Sequence, residues 1–194
     1  YSPLTNEYLL VFEANDGPFY YIYAQRVDSS GALLGDVEEL GSFGPFEKVD
    51  PQVVWGGSHW MVAWSEQMWD NGTSPATFIS SQIKGHFVST DGKKEGSEIA
   101  IAPSGSVNQL AHRVAYNAAS DNFFIVAQEN DQATGSDENF VGFFVDATGA
   151  PTVKTQVGTT SGLLQYLPDV AVDPDPSNPR FLVSWGTTVP GGGG

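Results

Sequence analysis

Short apolar runs recur along the chain, each within the usual length of a β-strand and each preceded by a cluster of turn-forming residues. The runs are Tyr8 to Phe12, Trp60 to Trp64, Phe123 to Ala127 and Phe181 to Trp185. Before them stand Ser2 to Asn6, Gly56-Gly57-Ser58, Asn117 to Asn122 and Asp173 to Pro179, rich in residues that reverse a chain cheaply. No long stretch carries apolar residues at the i, i+3, i+4, i+7 spacing of an amphipathic helix. The pattern predicts an all-β protein.

The strands repeat. Ile22 to Gly31, Ile83 to Gly92 and Phe140 to Gly149 each end with a Val followed four positions later by Gly, the Val residues being Val27, Val88 and Val145. Such a segment is a strand running into a tight turn, where Gly takes positive φ without steric cost. A second set, Pro51 to Trp55, His112 to Tyr116 and Pro168 to Val172, leads into the next apolar run through a short turn. A weaker candidate strand lies between the two sets, at Val37 to Leu40, Glu98 to Ala102 and Val153 to Val157. A fixed long period of this kind identifies a repeat architecture. Residues 1–185 therefore read as one all-β repeat domain of about three four-stranded antiparallel units, near 4–57, 58–119 and 120–176. An extra strand follows at 181–185, and residues 186–194 read as a Gly-rich tail.

The apolar strand followed by Gln25-Arg26-Val27-Asp28-Ser29-Ser30-Gly31, together with Val114-Ala115-Tyr116-Asn117, resembles propeller-like β-repeats of secreted bacterial and archaeal proteins. The second copy departs from that pattern, with Ser89 where the others carry Asp and His112 where they carry Pro. The resemblance implies β-propeller blades and an extracellular or cell-surface location. Three units fall short of the four to eight blades of a closed ring. That leaves a partial or oligomer-completed propeller, with a β-sandwich as the alternative. An open stack exposes an apolar face at each end, and Tyr8 and Trp185 stand on the terminal strands. Those ends are expected to be covered by a neighbouring chain or by further segments of a larger parent chain.

Composition narrows the partners. Of 194 residues, 8 are Lys or Arg and 23 are Asp or Glu, a net charge of −15, so nucleic acid is a poor partner. No apolar run is long enough for a membrane-spanning helix, and no membrane insertion is expected. Zero Cys removes disulfides, thiolate metal sites and Cys nucleophiles.

Candidate chemistry is sparse. Glu13, Glu66 and Glu129 stand at the ends of aligned apolar strands, where paired carboxylates could serve a glycan-active enzyme as acid and base. Strand ends also carry such residues simply because they reach solvent. Acidic loops offer oxygen ligands suited to calcium, with Asp131, Asp137 and Glu138 as the first choice, although Asp and Asn equally favour turns. His59, His86 and His112 lack the spacing of a transition-metal site and read as strand-surface residues. Trp60 and Trp64 share one face of their strand and read as packing between units. Trp69 lies in the polar stretch Gln67 to Ser81 and is expected to be exposed; with Tyr20 and Tyr21 it forms a candidate carbohydrate-binding set. Asn71-Gly72-Thr73 is an acceptor triplet for glycosylation at Asn71. These features favour a non-enzymatic binding or assembly module of the cell exterior, its partner a carbohydrate, another protein or a copy of itself. The alternatives are a glycan-active propeller enzyme and a structural subunit of a surface filament.

Overall fold

The computed structural model describes all residues except 17–18, 43, 45, 71, 73–76, 104–106, 132–137, 153, 159–164, 176 and 188–194. The side chains of Asp16, Val107, Asp131, Glu138, Gln165 and Tyr166 are likewise not described. Among the described residues there are thirteen strands and no helix. The first sheet holds β1 (Glu7–Asp16), β2 (Phe19–Asp28) and β3 (Leu33–Leu40) in sequential order. The second holds β4 (Glu47–Trp55), β5 (Trp60–Asp70), β6 (Thr77–Val88) and β7 (Lys94–Ala102). The third holds β8 (Val107–Asn117), β9 (Asn122–Asp131), β10 (Glu138–Asp146) and β11 (Thr155–Gly158). The fourth pairs β12 (Gln165–Val172) with β13 (Phe181–Thr187). All neighbours are antiparallel.

The hydrogen-bonded sheets begin one strand earlier than the sequence units. β4 pairs with β5 rather than closing the first unit, and β8 and β12 do the same in their sheets. β13 extends through Thr187, two residues past the strand read from sequence.

Register recurs from sheet to sheet. Tyr8 faces Val27 across the first pair, Trp60 faces Val88 in the second sheet, and Phe123 faces Val145 in the third. The turns after those valines share one construction. Gly31, Gly92 and Gly149 take φ of 90°, 82° and 85°, values cheap only for Gly. Each Gly N–H donates to the carbonyl of the residue three back, Asp28, Ser89 or Asp146. The Asp28 carboxylate accepts the Ser30 N–H at 2.8 Å, the Ser30 hydroxyl at 2.7 Å and the Ala32 N–H at 2.9 Å. Asp146 does the same for Thr148 and Ala150. Ser89 fills the position with a hydroxyl, which accepts the Lys93 N–H at 3.2 Å and donates to the Asp91 carboxylate.

The first strand of each four-stranded or two-stranded sheet carries a bulge at the equivalent place. Pairing shifts between Val49 and Gln52, between Leu110 and His112, and between Tyr166 and Asp169. Asp50, Ala111 and Leu167 sit there with φ of 55°, 21° and 53°. In two copies Pro follows, a residue with no N–H to leave unpaired, which suits a break in the ladder.

The core divides by sheet gap. Leu9, Val11, Ile22, Ala24 and Leu40 of the first sheet meet Trp60, Val62, Trp64 and Val88 of the second. From the opposite face of the second sheet, Met61, Ala63, Ile83, Phe87 and Ile101 meet Phe123, Ile125, Ala127 and Phe143 of the third. Phe124, Val126 and Phe140 then meet Val170, Phe181 and Val183 of the fourth. Successive side chains along a strand alternate faces, so β5 and β9 each feed two different cores. Small residues make room for aromatic rings: a Cβ on Gly56 would stand 2.2 Å from the Phe123 ring of the third sheet, and one on Gly142 would stand 2.4 Å from the Phe124 ring of the neighbouring strand.

Candidate functional site

The three sequence-predicted carboxylates occupy three separate places. Glu66 is buried in the gap between the first and second sheets. Its Oε2 accepts a hydrogen bond from Gln82 Nε2 at 2.5 Å and lies 3.6 Å from Lys84 Nζ, and its Oε1 lies 4.0 Å from Lys48 Nζ. Glu129 is also buried, but faces the next gap; Lys154 Nζ donates to both its oxygens at 2.9 Å and Gln109 Nε2 donates to Oε1 at 2.8 Å. Glu13 is exposed and accepts the Asp50 N–H at 3.3 Å. Counting from the start of its apolar run, Glu13 stands one place earlier than Glu66 and Glu129, and one place in a strand means the opposite face.

Around Glu66 the structure gathers a charge cluster that composition and alternation do not announce. Lys48, on β4, is fully buried, with its ammonium 4.8 Å from the centre of the Tyr21 ring. Burial pulls its pKa below the ordinary lysine value, with Glu66 and Glu98 opposing that pull. Lys84, on β6, donates to Glu98 Oε1 at 2.6 Å. Burial works against its charge, and the Glu98 and Glu66 carboxylates overcome this and raise its pKa. Glu98 Oε2 in turn accepts the N–H and hydroxyl of Ser42 at 2.7 and 2.9 Å, tying the second sheet to the end of the first. Burial disfavours the ionised form of Glu98, yet these bonds leave its pKa below the ordinary carboxylate value. Paired and hydrogen-bonded this way, the cluster locks two sheets together. Lys48 and Lys84 fall in different sequence units and come together only because β4 joins the second sheet.

Several sequence readings are corrected by packing. Trp69 is not on a loop: it lies in β5, half-buried, edge-on to Phe78 of β6 at 5.2 Å between ring centres, with its indole nitrogen buried. Tyr21 is buried beneath Lys48 rather than available to a ligand, while Tyr20 stays exposed on β2. His112 is not a surface residue but fully buried, with Nδ1 3.4 Å from the Ser65 hydroxyl; burial pushes its pKa down against the nearby Asp50 charge. His86 is buried too, and His59 stacks on Phe87. Asn71 and Asp137 lie outside the described residues, as do the side chains of Asp131 and Glu138. Among the described residues no group of three or more His, Asp or Glu side chains is placed to hold a metal ion.

A cleft of about 380 Å³ lies beside Glu129, bounded by Ala102, Pro103, Phe143 and Pro151. Gln109 lines it with a free Oε1 that is buried from solvent, and Thr152 and Lys154 are its exposed polar groups.

The broadest unpartnered surfaces are the outer faces of the end sheets. On the first sheet Tyr8, Val27 and Leu33 form a row across three strands, with Leu10, Phe12 and Val37 beside it. Tyr8 is 49%, Leu10 51% and Leu33 67% exposed. On the fourth sheet Leu182, 71% exposed, faces Ala171 across the pair. Compared with known proteins, the chain shows no significant similarity to any family model, curated protein or solved structure.

Proposed function

We propose that this chain is a non-enzymatic binding and assembly module of the cell exterior, built of propeller-like blades, whose docking surfaces are the outer faces of its first and fourth sheets. The observation that carries the reading is the apolar row Tyr8, Val27, Leu33 on a face with no covering sheet, matched by Leu182 at the other end. Contiguous exposed apolar surface of this kind marks an interaction site. An enzyme using Glu66 and Glu129 is less well supported, because each carboxylate is neutralised by its own lysine in a different sheet gap. A carbohydrate platform loses Trp69 and Tyr21, which are engaged in packing. The exterior location rests on the repeat resemblance, and a net charge of −15 is compatible with it.

The reading is tested in dilute solution with a dye that fluoresces on apolar surfaces, comparing the natural chain with the double variant Leu10→Lys, Leu182→Lys. Dye binding is expected to be lost in the variant, and incubation with polysaccharides is expected to give no turnover. Unchanged dye binding, or turnover abolished by Glu66→Gln, would sink it.

A further inference from the structure

We infer that the occupant of the two outer faces is a second copy of this chain, the fourth sheet of one copy packing on the first sheet of the next. This rests on the docking reading above and goes further, by naming the partner and its orientation.

The strands that carry the apolar runs, β1, β5, β9 and β13, each turn one face backward along the order of sheets and one face forward. In β5 the first, third and fifth apolar positions (Trp60, Val62, Trp64) face the preceding sheet, while the second and fourth face the following one. β9 obeys the same rule, with Phe123 and Ile125 toward the second sheet and Phe124 and Val126 toward the fourth. β13 turns Phe181 and Val183 back onto the third sheet, so Leu182 and Ser184 are its forward-facing residues. β1 turns Leu9 and Val11 forward onto the second sheet, so Tyr8, Leu10 and Phe12 are its backward-facing residues. One free face is thus of the forward type and the other of the backward type. They are the two halves of the contact made three times inside the molecule.

Side-chain size agrees. In the first internal gap a forward pair of aliphatic residues, Leu9 and Val11, meets an aromatic–aliphatic–aromatic triplet on β5. On the free faces the backward triplet Tyr8, Leu10 and Phe12 repeats the aromatic–aliphatic–aromatic order, and the forward side offers the aliphatic Leu182 followed by the small Ser184. Two forward faces, or two backward faces, have no precedent in the fold. The contact is therefore heterologous, and it propagates into a ring or a filament according to the rotation per step.

Sedimentation velocity over a wide concentration range tests this with two single variants, Leu10→Lys and Leu182→Lys, whose sites are exposed and tolerate charge without unfolding the sheet. The natural chain is expected to gain mass with concentration. Each variant alone is expected to weaken association by roughly tenfold or more, as a charge in a desolvated apolar contact does. Mixed in equal amounts, the variants are expected to form a one-to-one complex that grows no further, because each supplies the face the other has lost. A natural chain that stays monomeric at every concentration overturns the inference. So does either variant that self-associates as strongly as the natural chain, since that requires a contact that does not use the altered face. If dye binding at the ends is lost in the double variant while the natural chain stays monomeric, the docking faces stand and only the second copy falls. Circular dichroism of each variant confirms that the sheet is intact.

Discussion

Lys48 and Glu66 give the sharpest test of the energetics. Lys48 is fully exposed to the cost of burial, having no hydrogen bond on its ammonium and its carboxylate partner at 4.0 Å. Glu66 is better provided for, with Gln82 and Lys84 as well. Removing one member of a buried pair and leaving the other uncompensated costs about 3–5 kcal/mol, whereas replacing the awkward charge by an apolar group of similar shape is neutral or stabilising. Glu66→Gln should therefore destabilise by about 3–5 kcal/mol, or roughly 6–20 °C in Tm for a domain of this size. Lys48→Met keeps the aliphatic stem that packs beside Gly41, discards the charge, and should cost less than about 1 kcal/mol or stabilise the chain. Urea unfolding followed by tryptophan fluorescence reads both, since Trp64 and the lysine stem both border Gly41. Alkaline pH supplies a second readout. Burial holds the folded pKa of Lys48 below 10.5, so its unfolded form binds the proton more tightly. The penalty is full below the folded pKa and is relieved as pH rises through it toward 10.5. The natural chain should accordingly gain stability relative to Lys48→Met across that interval. If Lys48→Met proves as damaging as Glu66→Gln, the ammonium is stabilising and the reasoning is wrong.

The turn carboxylates Asp28 and Asp146 are held below 3.8 by their hydrogen bonds, first from the Ser30 and Thr148 hydroxyls, so their contribution is complete above 3.8 and fades as pH falls through the lowered values. Carboxyl chemical shifts should titrate below 3.8, and midpoints at or above it would contradict the turn geometry. Gly142→Val forces a side chain into the Phe124 ring and should cost about 1–3 kcal/mol or more in chemical denaturation, where a change within experimental error would show the Phe124 ring to be freer to move aside than described. His112 should remain neutral below its ordinary 6.5, its ring-proton shift flat until acid unfolding begins; stability tied to it is complete above 6.5 and lost as pH falls through the lowered pKa. A titration midpoint at or above 6.5 would refute its burial.

The sheets were legible where sequence and backbone need coincide. The four apolar runs became β1, β5, β9 and β13, and the three Gly turns were found because positive φ selects Gly at Gly31, Gly92 and Gly149. Trp69 was misread for want of register: β5 and β6 run on as far as Asp70 and Thr77, and the Trp69–Phe78 contact is made across strands whose pairing shifts at Met68. Glu13 was grouped with Glu66 and Glu129 because a run of residues hides parity, and a single place moves a side chain to the opposite face of its own sheet. The Lys48–Glu66–Lys84–Glu98 cluster escaped because its members are scattered from β4 to β7. A charged residue on a half-exposed strand reads as solvated until a neighbouring sheet covers it. His112 was read as a strand-surface residue and as a departure from Pro; it stands just past the bulge that β8 shares with β4 and β12, and it is buried.

Because β5 and β9 serve two cores at once, inserting or deleting a single residue within either would exchange the partners of every side chain downstream in that strand and spoil both gaps together. Changes in length are therefore harmless only in the connections. The copies already differ there: Asp16 leads to Phe19, Asp70 to Thr77 and Asp131 to Glu138, while the paired positions flanking each hairpin keep their places. Such a scaffold holds its interior fixed and leaves its hairpin tips free to lengthen and diversify.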